Sequence, residues 1–496
     1  NFIEPLLHQG DDSEAPSGDA GEHIGQFNAR KPAPPWPAAR AAFEAASEQL
    51  RAQVRSLSSR DPSWDGLTAE AQQLRAPFVD EQIAAAQAEV FLAALVLHRS
   101  FIQTTWATFS QNLSSWAAMA KRPHRDDFTA GEQTALWRSL FLLCPVISTT
   151  FASVRQMMPK VKHNALGWVL IDEAGQVPAQ QATGILMRAR RAMIIGDPLQ
   201  LEPIVTLSPS IVACIRDVFG AHDRFVSHED NAESLQTIAD RASKYCSFRS
   251  AGQSDAQAVT QRIGIPLLVH RRCMKPMFSI SNAIYGNQMV YAVNEMAPWD
   301  DCLPGVPSAW IDERSDARRH SVPQQVELVE KLVVRMSENF LIINEGQPLQ
   351  PSIYVITPFR EIEEKLKEAF SKYPDLSKWA KRGIGTIHKF QGKEADIVIV
   401  VLGLSAGNEF ALQFAVAKPN MMNVAVTRAK RRLYVIGNAE LWGDQKYFGD
   451  VYETMLAQGA VYDAASFTAT VIDPIPVLRV LPKPKKPKAS RKKAVR

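Results

Sequence analysis

Asp172 and Glu173 follow directly on four apolar residues, Trp168 to Ile171, in the stretch WVLIDEAGQ. A buried strand that ends in two carboxylates is how a nucleoside triphosphatase brings one acid to a magnesium ion and a second to the attacking water. Two acids at a strand end can equally be solvated side chains with no ligand. The next apolar run bears on that choice. AMIIGDPLQLEPI sets Gly196, Asp197, Pro198, Gln200 and Pro203 after a second strand expected to be buried. A glutamine at that sheet edge can sense a terminal phosphate or hold the attacking water, and its plain alternative is an incidental residue after a tight Gly-Asp-Pro turn. The loop that would cradle the phosphates, G-x-x-x-x-G-K-[ST], has no match anywhere in the 496 residues.

Arginines recur further along. PLLVHRRCMKP sets Arg271 and Arg272 just past an apolar segment, and NVAVTRAKRRLYVIGN sets Arg428 on a short helix before a strand. A guanidinium suits a developing phosphoryl charge because its planar fork donates several hydrogen bonds and never loses its proton. Such a finger is worth ~10³ to 10⁵ in rate, whereas most isolated arginines are surface ion pairs. GTIHKFQGKEADIVIVVLG is the most specific of these stretches. Gln391 and Gly392 turn the chain between a buried aromatic, Phe390, and the charged pair Lys393 and Glu394, directly before a long apolar run. A loop of that kind can set backbone N–H groups and Glu394 against a nucleotide while Thr386 and His388 face a second ligand.

Positioning these residues takes parallel strands. After Leu140 short apolar runs alternate with helical patterns: PVIST, WVLID, AMIIGD, IYVITP, DIVIVVLG and LYVIGN. That alternation is the mark of parallel sheets covered by helices, and several runs end in Ser, Thr, Asp or Asn, where an open α/β sheet binds its ligands. Upstream the texture differs. From Ala38 to about Leu57, residues Phe43, Leu50, Val54 and Leu57 fall on one helical stripe, and a second Ala-rich helix is expected from Glu81 to Gln103. Together they predict a helical hairpin inserted in or projecting from another domain, or else a free-standing bundle. Residues 10–35, rich in Gly, Asp, Ser and Pro, read as a linker, and residues 220–262 as an irregular boundary between two sheet domains.

The bulk numbers fit a large soluble protein of roughly three domains, with 46% hydrophobic residues over 496. No uninterrupted apolar run reaches a membrane span, so no membrane partner is expected. Cys144, Cys214, Cys246, Cys273 and Cys302 stand singly, without C-x-x-C pairs, which fits a reducing, cytoplasmic location. Net charge is +4, yet eight basic and no acidic residues lie between Lys483 and Arg496, so the basic character sits in the tail. The chain begins with Asn, which suggests a fragment or a processed chain.

Read in order, PVISTTFAS, VLIDEAGQ, IIGDPLQLEPI, VHRRCMKPMFSISNAIY, VITPF, GTIHKFQGKEADIVIV and MNVAVTRAKRRLYVIGN resemble motifs Ic through VI of the superfamily 1 helicases, over residues 140 to 440. The branch they most resemble contains the nonsense-mediated decay helicase and senataxin. The resemblance implies an α/β fold with two RecA-like parallel-sheet domains, the first incomplete and carrying a helical insertion. It divides the chain into a linker at 1–37, a helical insertion at 38–139, the remainder of the first RecA-like domain at 140–255, the second at 256–465, and a disordered basic tail at 466–496.

It also implies roles. Asp172 would hold Mg2+, commonly through water, and Glu173 would be the base for the attacking water. Gln200 would couple phosphate sensing to strand binding, and Arg428 would reach the γ-phosphate of ATP. Gln391 and Gly392 would lie at the nucleotide, with Glu394 near the ribose. The motif IV arginine is Arg272 when aligned on His270 but Arg271 when counted back from Asn282 and Tyr285. Thr149, Thr150, Thr357, Pro358, Thr386 and His388 would line a groove for single-stranded DNA or RNA, holding its backbone largely without reading sequence.

The phosphate loop and motif Ia, absent from the sequence, precede the helical insertion in this family. Truncation at the N-terminus is therefore the expected cause, and the fragment should bind ATP poorly and hydrolyse it hardly at all. Two other readings stay open: a nucleic-acid-binding scaffold that has lost its ATPase, and an ATPase switch acting on a protein partner.

Overall fold

The computed structural model describes residues 34–58, 66–74, 81–121, 128–197, 199–203, 207–220, 234–243, 247–249, 260–262, 264–293, 303, 306–343, 352–417 and 419–472. Most of the expected linker and most of the basic tail lie outside them. The chain divides into two compact units, residues 1–169 with 183–192 and residues 170–182 with 193–496.

The first unit is mainly helical. Helices Trp36–Ser58 and Glu81–Thr104 pack along each other, as the stripe from Ala38 and the Ala-rich run predict, and Trp36 meets Phe101 with ring centroids 5.5 Å apart. Phe43, Leu50 and Val54 are half-buried on one face. Two more helices, Trp106–Lys121 and Ala130–Leu143, enclose a small core of Met119, Leu136 and Trp137 with Met158 and Val161. The second of these starts at a capping box. Thr129 accepts the Glu132 N–H while Glu132 accepts the Thr129 N–H at 2.7 Å, and those hydrogen bonds hold the exposed Glu132 carboxyl below its usual range.

Glu81–Thr104 is long and apolar enough, by length and composition, to cross a membrane. A count of uninterrupted apolar runs overlooks it because Glu89, His98 and Arg99 break the run without lowering the average enough. Here it is a helix packed on a helix.

PVIST was expected as a strand but forms no regular element, with Val146 79% exposed; a strand needs a partner, and none pairs with it among the described residues. β1 (Leu166–Ile171) and β2 (Ala189–Ile194) pair with each other as a two-stranded sheet. They were expected to be buried. Instead Trp168, Leu170 and Met193 are about half exposed, because two strands alone cannot cover their own faces.

In the second unit, the stretch read as an irregular boundary contains a helix, Leu235–Ala242, and an antiparallel pair, β3 (Ser247–Arg249) with β4 (Thr260–Arg262). β5 (Val269–His270) and β6 (Val290–Tyr291) pair in parallel. The rest is a six-stranded sheet of β7 (Ala309–Asp312), β8 (Ile353–Thr357), β9 (Ile384–Thr386), β10 (Ala395–Val401), β11 (Ala429–Gly437) and β12 (Val461–Asp463), in the order β12-β7-β11-β10-β8-β9. Every neighbouring pair is parallel. After Asp396, β10 is an unbroken apolar and buried run, IVIVV, because both faces of a parallel sheet are covered.

Helix Arg360–Phe370 shows how the cover is made, turning Ile362, Leu366 and Phe370 inward at a spacing of four. Trp310, Trp379 and Trp442 are buried, and each indole N–H donates to a backbone carbonyl at 3.1 Å, on Gly437, Ile353 and Gly403. The described residues run to Ile472, beyond the expected start of the tail: helix Ala464–Phe467 buries Phe467 in this core.

Candidate functional site

Three loops of the second unit meet beside the amino ends of β10 and β11, all within that unit. The loops after β1 and β2 touch through their glycines. A side chain on Gly196 would stand 2.8 Å from the Gly175 nitrogen, and one on Gly175 would stand 2.8 Å from the Asp197 carbonyl, so only glycine allows both turns. Glu173 itself is left-handed, at φ 55° and ψ 35°, a costly conformation for a non-glycine residue. Its Oε2 accepts from Gln176 at 3.2 Å and from Gln391 at 3.3 Å. Gly392, also left-handed, brings its backbone close to Glu173 Oε1. Asp172 is exposed and uses Oδ1 to take the Glu173 N–H at 2.9 Å.

Arg428 ends helix Asn420–Arg428 and is 1% exposed. Its donors go to the Val424 carbonyl at 3.1 Å, the Lys393 carbonyl at 3.0 Å, Thr427 Oγ1 at 3.1 Å and Gln200 Oε1 at 3.5 Å. Every acceptor is neutral. Burial lowers its pKa, and the nearby Arg272 charge lowers it further, against Glu173 and Asp197. Gln200 is held in turn. Its amide donates to Asp197 Oδ2 at 2.9 Å, and its backbone carbonyl accepts from Asn420.

Asp197 also takes a hydrogen bond from the Tyr285 hydroxyl, and Asn423 donates to Tyr285 Oη at 2.8 Å and to the Leu199 carbonyl at 3.0 Å while accepting from Ser281 at 3.1 Å. Burial first, and then Asp197, push the Tyr285 pKa well above 10, so the phenol stays protonated and donates. The residues Asn420, Asn423, Tyr285 and Gln176 were not singled out from sequence for this site. A signal existed: Asn420, Asn423 and Thr427 form a polar stripe on an otherwise apolar helix, and buried polar side chains need partners.

Arg272 pairs with Glu394 at 3.0 Å, and Lys430 approaches the same carboxylate at 3.3 Å. Arg271 is exposed and has no acid partner among the described residues. His270 Nε2 accepts the Cys273 N–H at 2.9 Å; burial, then Arg272, lower the His270 pKa, so the ring is neutral and able to accept.

The residues expected to face nucleic acid lie elsewhere. Thr357 and Thr386 are register partners at the carboxyl ends of β8 and β9. Thr357 departs from expectation: it is fully buried, and its hydroxyl takes the Phe359 N–H at 3.4 Å to shape the turn, so the side chain does not face a groove. Pro358 is half-buried, Thr386 gives its N–H to Glu363 at 3.1 Å, and His388 is exposed. Thr149 and Thr150, in the first unit, are both exposed, with Thr150 preceding helix Phe151–Met157. Polar strand ends were expected to mark a functional edge at the carboxyl ends of the strands, with the Gln391 loop and Arg428 each directly before a strand. In this sheet Gln391, Glu394 and Arg428 precede β10 and β11, at the opposite edge.

The donor set is compatible with a nucleotide and its ion. Magnesium takes one or two carboxylates and fills its other positions with water and phosphate. Asp172 can supply the one, and among the described residues no cluster of three or more His, Cys, Asp or Glu forms a protein-only cage.

The AAA-domain family matches residues 275–440 and, separately, residues 99–208. The probable helicase senataxin of Mus musculus is 20% identical over 306 residues, covering 59% of this chain and 10% of that protein. An uncharacterized ATP-dependent helicase of Mycoplasma pneumoniae, the MG140 homolog, is 24% identical over 300 residues, covering 59% of this chain and 24% of that protein. The chain thus spans a tenth to a quarter of the length of these relatives. Among solved structures, the complex of an arterivirus nonstructural protein 10 helicase with DNA is 15% identical, with a TM-score of 0.26, over 56% of this chain and 41% of that one.

Proposed function

Because the chain belongs to the superfamily 1 helicases, on the branch that contains senataxin, we propose that the loops around Arg428 serve ATP and that the carboxyl edge of the six-stranded sheet serves single-stranded nucleic acid, as parts of an ATP-driven helicase or translocase. The observation that carries this reading is Arg428. A buried guanidinium whose donors all end on neutral oxygens lacks an anion, and a γ-phosphate supplies one.

Glu173 acts as the base that takes the proton of the attacking water, held ready by Gln176 and Gln391. Gln200, bonded to Arg428 and to Asp197, reports the phosphate to the rest of the unit. Asp172 holds magnesium through water, and the ion supplies charge neutralisation at the phosphates. Gly392 lets the backbone come close to the nucleotide, Glu394 lies toward the sugar, and Arg272, paired with Glu394, is the motif IV arginine in preference to Arg271. The 496-residue chain on its own hydrolyses ATP hardly at all, since it holds no match to G-x-x-x-x-G-K-[ST] for the β- and γ-phosphates.

Phosphate release by the natural protein that carries this sequence, with and without a single-stranded oligonucleotide, tests the reading. Glu173→Gln is expected to lower kcat by about 10² to 10⁴ while nucleotide binding stays within about twofold of wild type. Hydrolysis unchanged by that substitution would remove Glu173 from its role. Hydrolysis that ignores both DNA and RNA would favour a switch acting on protein.

A further inference from the structure

The loop between β7 and helix Pro323–Ile343 ends in a tight turn, Arg318 to Ser321, closed by backbone hydrogen bonds in both directions, at 2.7 and 3.2 Å. The turn is pinned to the carboxyl edge of the sheet from three sides. Ala317 donates its N–H to Ser405 Oγ at 3.0 Å, the His320 carbonyl accepts from Leu404 at 3.1 Å, and the His320 N–H points to Glu361 Oε2 at 3.4 Å. Gly403 is left-handed there, and any side chain on it would collide with the His320 carbonyl.

On this base the His320 imidazole lies nearly flat on Phe359, with centroids 5.0 Å apart and planes 14° from parallel. Phe359 is buried, but the His320 side chain keeps 42% of its surface open. Arg319, beside it, is a non-glycine residue at φ 59°, and strain of that kind persists only where the surroundings enforce it. Arg318 and Arg319 are both exposed and have no acid partner among the described residues.

We infer that His320, supported from below by Phe359, is a stacking platform for one base of a single-stranded nucleic acid, with Arg318 and Arg319 holding the neighbouring phosphates. This rests on the nucleic-acid reading above and adds a contact to it. Every base has a π-face, so a flat ring accepts any of them, and adjacent guanidinium groups meet the backbone. The Glu361 carboxylate, 3.4 Å from His320 Nδ1, sits at the ring edge and would repel a phosphate there, which leaves the open face to a base. Phe359, the support of the platform, stands two residues beyond Thr357, whose partner across the sheet is Thr386, so the platform lies at the same edge as the expected groove.

The test is fluorescence anisotropy of the 496-residue chain with a labelled oligothymidylate of about 20 nucleotides, its oligouridylate counterpart, and a strand of equal length bearing abasic sugars. His320→Ala is expected to weaken binding of the base-bearing strands about fivefold or more and to leave the abasic strand unchanged, and His320→Phe is expected to restore affinity. Arg319→Gly, which suits φ 59°, is expected to lower the slope of log affinity on log salt by about 1. If His320→Ala binds as wild type does, or His320→Phe is as weak as His320→Ala, the platform is wrong while the nucleic-acid reading stands. If the wild-type chain binds none of the strands, the nucleic-acid reading fails and takes the platform with it.

Discussion

The two edges of the six-stranded sheet are built to different rules. At the amino ends of β10 and β11, buried Arg428 and Asn423 and half-buried Tyr285 are bonded to one another through Asp197 and Gln200. At the carboxyl ends of β7 and β8, His320 and the arginines beside it are fixed from beneath and open above. On the function proposed above, the contrast follows from what each edge would bind. Charge developing on a phosphate is best met by dipoles and cations already in place, in a site that excludes water. A strand that must be held and released is better met by exposed cations and flat rings, whose contacts are individually weak.

If the amino edge is one interlocked unit, removing a member that touches no phosphate should still cost rate. Asn423→Ala deletes the amide that joins Tyr285, Leu199 and Ser281, and leaves their polar groups short of a partner. A fall of about 10- to 100-fold in kcat with little change in KM is expected in steady-state assays of the natural protein, on the basis of about 1–3 kcal/mol for such a loss. A change in KM alone would mean that the network binds nucleotide without orienting Arg428.

The two adjacent arginines sharpen the comparison at a finer scale. Arg272→Ala, which breaks the pair with Glu394, is expected to lower kcat about tenfold or more, and Arg271→Ala less than about twofold. Equal effects would show that the ion pair does not select between them.

The smallest effect concerns His270, which is half-buried, has a pKa lowered by that burial and must be neutral to accept the Cys273 N–H. The unfolded chain takes up that proton from about pH 6.5 downward, before the folded chain does, so stability falls as pH drops below that value. Urea midpoints between neutral pH and about pH 5.5 should therefore slope less in His270→Gln than in wild type, and identical slopes would contradict the burial argument.

Much of the sheet is legible in the sequence, for a physical reason. Residues 353–356 of β8, 397–401 of β10 and 433–436 of β11 are buried and therefore read as continuous apolar runs. β7, β9 and β12 are only three or four residues long, too short for a period to show, and none is recognisable before the structure. PVIST carries a strand's composition, yet it pairs with nothing among the described residues, because composition does not supply a neighbour. The side chains that hold charge, from Asp172 to Arg428, stand out by type and order. Those that hold them in place do not: Tyr285 and Asn423 come within reach of Asp197 only when segments distant in sequence are folded together. The His320 and Phe359 stack is likewise formed across two loops and leaves no local pattern.

The division of labour between the two edges is tested most directly by Arg428→Ala in the natural protein, with phosphate release and strand affinity measured on one sample. Loss of the guanidinium is predicted to lower kcat by about 10³ or more, with affinity for a single strand in the absence of nucleotide staying within about twofold. Parallel loss of both, or hydrolysis within about tenfold of wild type, would contradict the assignment of phosphate chemistry to the amino edge.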